Sequence, residues 1–113
     1  MQIFFTSRNA ESDQLRDLAV RRVRFATRRM TWLVPRASVQ LSDINGPRGG
    51  MDKRCQVQFK TDRNGTVVIT SIARDWRVAL DSALTRATRV LLRLWRRSRE
   101  SQAPSRRAIR HDS

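Results

Sequence analysis

Acidic side chains are scarce in this 113-residue chain: 10 Asp plus Glu face 24 Lys plus Arg, a formal net charge of +14. A surplus of that size repels itself, and a free soluble protein has little reason to carry it. A polyanionic partner is the natural inference. Lysine is scarce as well. All of the basic residues except Lys53 and Lys60 are arginine, whose planar fork grips phosphate bidentately and stacks on bases. A GC-rich genome that writes arginine for lysine accounts for the ratio equally well.

Long apolar runs are missing: Val90-Leu91-Leu92 is stopped by Arg93, far short of the roughly 20 residues a membrane helix needs. The opening Met1-Gln2-Ile3-Phe4-Phe5 lacks the basic flank of a secretory signal, and Glu11, Asp13 and Asp17 do not suit a transit peptide, so the expected location is cytoplasmic. With one cysteine, Cys55, an internal disulfide is excluded, in keeping with a reducing compartment. The one histidine, His111, falls in a polar tail. No phosphate-cradling P-loop, metal-spaced Cys/His set or nucleophile–base pair is found. Asp43 and Asp52 bracket a loop without a third acid, too few for a calcium site. These absences predict no enzyme, no cofactor, no metal and no small-molecule substrate.

What is present is patterning. Gln2 to Thr6 reads as a short strand with Ile3 and Phe5 on one face. From a cap at Ser12, a helix is predicted to about Met30: Leu15, Leu18, Ala19, Val23, Ala26 and Met30 share one arc, and Arg21, Arg24 and Arg28 lie opposite. Beyond Pro35, Ala37, Val39 and Leu41 alternate with polar residues, as do Cys55, Val57 and Phe59. The turn-rich Asp43 to Met51 lies between these strands. Asn64-Gly65 signals a hairpin to a strand over Thr66 to Ala73. After a cap at Asp75, a second helix is predicted to about Arg97, with Trp76, Leu80, Ala83, Ala87, Val90, Leu91 and Leu94 on its apolar stripe. Arg86, Arg89, Arg93 and Arg96 form a cationic stripe. Trp32 is expected to pack at the end of the first helix, and Cys55 to sit in the core.

This order predicts an α+β fold, β-α-β-β-β-α: a four-stranded mixed sheet with two roughly parallel helices packed on one face. The expected organisation is one domain over 1–97 and a disordered basic and polar tail over 98–113. Helices side by side on one sheet face merge their outward arginines into a single cationic surface. Lys53 and Arg54, beside the glycine-rich loop, are candidates to approach a phosphate backbone. Phe4, Val68 and Ile72 are expected on the opposite sheet face.

Two segments carry a family resemblance: Val39 to Cys55, with Asp43-Ile44-Asn45-Gly46-Pro47-Arg48-Gly49-Gly50-Met51-Asp52-Lys53-Arg54 at its centre, and Asp75-Trp76-Arg77-Val78-Ala79-Leu80-Asp81. Through these, and its element order over 1–97, the chain resembles the short ribosome hibernation factors, the family of ribosome-associated translation inhibitors and hibernation-promoting factors. The resemblance implies binding to rRNA in the neck of the small ribosomal subunit, where mRNA and tRNA sit, so that translation is blocked under stress. It also implies that Arg16, Arg22 and Arg28 of the first helix and Arg86, Arg89 and Arg93 of the second make the contacts. Phe25 departs from the family at a position that is commonly basic, and Arg77 at one that is frequently tyrosine. Longer members add a dimerisation domain, for which the sixteen residues after Arg97 are too few.

A charge stripe is ordinarily a solvated face, but this one lacks the interspersed acids that would soften it, which favours binding. Two other readings accommodate the same arginines: a general RNA-binding module that reads duplex shape, and a regulatory protein that binds an acidic partner protein.

Overall fold

The alternating stretches pair as one sheet. In the computed structural model, which describes residues 1–7, 12–44, 53–63 and 65–101, the strands are β1 (Gln2–Ser7), β2 (Arg36–Asp43), β3 (Lys53–Lys60) and β4 (Thr66–Ala73), in the order β1-β2-β3-β4. β1 runs parallel to β2, with Phe5 opposite Val39. The pairings of β2 with β3 and of β3 with β4 are antiparallel, placing Val57 opposite both Val39 and Ile69. A parallel neighbour needs a crossover, and the helix α1 (Ser12–Ala26) supplies it. The second helix, α2 (Trp76–Ser101), follows β4.

Only one sheet face is covered. Ala37, Val39, Leu41, Cys55, Val57, Phe59 and Val67 are buried, whereas Phe4, Val68 and Ile72 on the other face are exposed, as their alternation with the buried set requires. Ala19 and Val23 of α1 and Leu80, Ala83, Leu84, Ala87 and Leu91 of α2 join those strands in one apolar cluster. Both helices therefore lie on the same side. Phe59, fully buried at the centre, contributes on the order of 2–3 kcal/mol from its removal from water.

The helices also run the same way. The strand pairings make β4 parallel to β1, so both helices leave the same end of the sheet. Residue numbers rise together along the contact: Arg22 meets Asp81, and further on Trp32 meets Trp95.

Several boundaries differ from the sequence expectation. The first helix ends at Ala26, not near Met30. There the Thr27 N–H and hydroxyl both donate to the Val23 carbonyl, at 3.0 and 2.7 Å, and the Met30 N–H donates to the Thr27 carbonyl at 2.7 Å. The i→i−3 bonds, Arg28 N–H to the Phe25 carbonyl and Met30 N–H to that of Thr27, tighten the chain into a turn and then a 3-10 turn, Thr31–Leu33. Met30 stays buried because the tight turn folds it back under the helix end. The last helix continues past Arg97 to Ser101, and β3 begins at Lys53, two residues before Cys55.

In the β3–β4 connection Gly65 takes φ +78°, a left-handed conformation that glycine adopts without a Cβ penalty. Its carbonyl accepts from the Thr61 N–H at 3.0 Å and the Thr61 hydroxyl at 2.6 Å. The second helix starts one residue after Asp75, whose carbonyl accepts the Ala79 N–H at 3.0 Å. Asn64, the turn-rich segment from Asn45 to Asp52, and 102–113 with Arg106, Arg107, Arg110 and His111 lie outside the described residues. Among the described residues no helix is long and apolar enough to cross a membrane, and no group of three metal-ligating side chains is assembled.

Candidate nucleic-acid interface

The apolar stripes of α1 and α2 face the sheet, so the remaining arcs must face out, and the arginines occupy them. Arg16, Arg21, Arg22, Arg24 and Arg28 on or just after α1, and Arg86, Arg89, Arg93 and Arg96 on α2, are all exposed. The parallel packing of the helices brings both sets to the surface of one two-helix layer, with Arg86 at its β4 side.

The array is weakly neutralised. Arg22 reaches across the interhelical groove, where Nη1 donates to Asp81 Oδ1 at 3.0 Å, with both side chains nearly half-exposed. Arg24, Arg89, Arg93 and Arg96 have no acidic partner among the described residues. Other arginines touch neutral groups. Arg21 Nε donates to the Asp17 carbonyl at 3.4 Å, Arg28 Nη1 to the Phe25 carbonyl at 2.9 Å, and Arg86 Nη1 to the Thr70 carbonyl on β4 at 3.4 Å. Exposed contacts of this kind leave the guanidinium charge available to an incoming phosphate.

Lys53 and Arg54, the candidates beside the glycine-rich loop, stand apart from this array. The cross-strand register sets Lys53 opposite Asp43. Its ammonium donates to Asp43 Oδ2 at 2.7 Å and lies 5.4 Å from the centre of the Trp76 ring, on the helix side of the sheet. Its charge is already answered. Arg54 alternates to the uncovered face, where Nη2 reaches Gln56 Oε1 at 3.5 Å. It lines a shallow pocket there with Thr6, Gln40 and Ser42.

One aromatic residue is placed differently from expectation, and a second takes a setting for which no expectation was drawn. Trp32 is not packed away: it is 65% exposed and meets Trp95 edge-on, with ring centres 6.1 Å apart and planes at 73°. Phe25, noted in the sequence only as a departure from a basic position, is 66% exposed. It lines a groove of about 540 Å³ between the helices with Arg22, Asp81, Leu84, Thr88 and Arg89. The Arg28 guanidinium carbon stands 4.2 Å from the centre of its ring. An apolar ring set among cations was the available signal.

Cys55 is fully buried, and desolvation pushes its thiol from 9.0 up to about 12. It is an inert core residue, without the thiolate a nucleophile needs.

This geometry can be set beside known structures. The chain is similar to the N-terminal domain of Protein Y from Thermus thermophilus, with a TM-score of 0.67 and 25% identity over 82% of this chain and 98% of that one. It is also similar to a ribosomal subunit interface protein from Coxiella burnetii, with a TM-score of 0.66 and 16% identity over 82% of this chain and 96% of that one. In fold the chain resembles the ribosome hibernation factors. The more distant of these likenesses carries the fold alone. No family model and no curated protein sequence matches the chain. The fold of this chain places two arginine-bearing helices together on one face of a half-covered sheet.

Proposed function

We propose that this protein is a ribosome-associated hibernation factor. Its two-helix arginine face binds rRNA of the small subunit and sterically blocks the channel used by mRNA and tRNA. The carrying observation is the shared outward face of α1 and α2, whose arginines are almost unopposed by acids. The likeness to a ribosomal subunit interface protein agrees in fold. Phosphate contacts from Arg16, Arg21, Arg22, Arg24, Arg28, Arg86, Arg89, Arg93 and Arg96 supply affinity, and the rigid two-helix layer supplies shape. The action is occupancy, with no chemical step, in the cytoplasm where ribosomes work. Lys53, paired with Asp43, and Arg54, on the opposite face, stand outside the contact surface.

The test is co-sedimentation with purified small subunits in the presence of competitor. The protein should pellet with subunits, resist displacement by a free RNA duplex at equal nucleotide concentration, and prevent initiator tRNA from binding. Equal displacement by the duplex would make the protein a general RNA binder. Association that survives nuclease digestion of the subunits would point to an acidic protein partner instead.

A further inference from the structure

Phe25 is a large apolar side chain left in water on the most cationic face of the molecule. A single exposed apolar residue needs no explanation, but this one is built into a site. Arg28 covers one face of its ring at 4.2 Å, yet two-thirds of the residue remains exposed. The groove it lines continues over the apolar side chains of Ala26, Leu84 and Leu92, and carries Arg89 and the Arg22–Asp81 pair. Its volume of about 540 Å³ lies within the range of about 300–1,000 Å³ typical of small-ligand sites.

From this juxtaposition of a half-stacked phenyl ring, an apolar floor and two guanidinium groups, we infer that the interhelical groove is a slot for one unpaired nucleobase. The base stacks on the face of Phe25 opposite Arg28, and its flanking phosphates are met by Arg22 and Arg89. The occupant follows from charge and shape together. An apolar peptide would satisfy the floor and leave Arg28 and Arg89 without an anion, and a bare phosphate backbone would answer the cations and leave the ring in water. A splayed-out nucleotide has a flat π-face and an anionic flank, so it satisfies both, and aromatic rings and arginine planes are the usual platforms for such bases. The Arg22–Asp81 pair is nearly half-exposed on both sides, so Arg22 can exchange its carboxylate for phosphate at little cost. The inference rests on the RNA-binding reading above and deepens it: part of the interface reads an unpaired base rather than helix shape.

The test uses the full chain and a single-stranded adenosine pentanucleotide, followed by NMR and by equilibrium binding. Phe25→Leu keeps an apolar side chain without the ring, and Phe25→Trp keeps a stacking platform. Wild type should show nuclear Overhauser contacts between one adenine and the Phe25 ring. Phe25→Leu should lose the contacts to that position and bind about tenfold more weakly, while Phe25→Trp stays within about twofold of wild type. An abasic pentanucleotide should bind wild type and Phe25→Leu equally. The slot is refuted if Phe25→Leu binds the adenosine oligomer as wild type does, or if the abasic oligomer binds wild type as tightly as the adenosine one. Sedimentation with small subunits separates this result from the broader proposal. If wild type and Phe25→Leu bind subunits equally well, only the slot fails. If wild type takes the oligomer but ignores subunits, the slot stands and the ribosomal reading fails.

Discussion

Arg22 of α1 and Asp81 of α2 meet at 3.0 Å across the groove between the helices, joining residues 59 positions apart in the chain. The pair ties the two cationic helices together at the surface they present, and it is the one described ion pair within the array. Because both side chains are nearly half-exposed, its strength is that of a solvated pair. A double-mutant cycle with Arg22→Gln and Asp81→Asn should give a coupling of about 0.2–1 kcal/mol that fades in molar salt. A coupling that persists undiminished in salt would contradict the solvent exposure of the pair.

Arg86, Arg89 and Arg93 stand exposed on α2; Arg86 donates to one backbone carbonyl and Arg89 lines the rim of the interhelical groove. Reversing all three to Glu should leave the circular dichroism spectrum native, since none supports the core, and should abolish co-sedimentation with small subunits. A variant that folds and still pellets would place the contact on another face.

Lys53 gives the contrasting case. Its ammonium is bound to Asp43 at 2.7 Å, and its side chain is only 23% exposed. Lys53→Met should therefore change affinity for small subunits by less than about twofold, whereas Arg89→Gln should weaken it by about tenfold, on the usual scale of 1.5–3 kcal/mol for hydrogen bonds to charged groups. Equal losses from the two, measured by filter binding, would return Lys53 to the interface.

Cys55 makes stability sensitive to alkali. Burial raises its thiol from 9.0 to about 12, so the folded state favours the protonated form. That contribution is complete below 9.0 and is lost as pH rises toward 12. Between about pH 7 and about pH 11, wild type should lose more urea resistance than Cys55→Ala, which has no thiol to ionise. Equal losses would mean that the thiol is not desolvated in the fold.

Much of this architecture is legible in the chain. The alternation of Ala37, Val39 and Leu41, and of Cys55, Val57 and Phe59, marks which sheet face is covered. The stripes through Val23 and through Leu91 mark what covers it. With both helices on that one face, the arginine stripes had to share an outer surface. Other features depend on tertiary contacts that no local pattern encodes. The fate of Lys53 is decided by the register that sets it opposite Asp43, across a loop whose length does not fix the pairing. The early end of α1 lies where the backbone switches to carbonyls three residues back, Arg28 N–H to Phe25 and Met30 N–H to Thr27, although the apolar period continues to Met30. Trp32 looked like packing material and instead lies open against Trp95, because the 3-10 turn carries it off the helix axis. The setting of Phe25 needs both helices at once: its groove is lined from α1 and α2 together.

The most direct test of the account is the salt dependence of small-subunit binding, measured by pelleting at a series of potassium concentrations. If about six to eight arginines of the paired helices meet phosphates, the logarithm of the association constant should fall linearly with the logarithm of salt concentration, with a slope of about −4 to −7. A slope near zero would show that the arginine face is not what holds this protein to the ribosome.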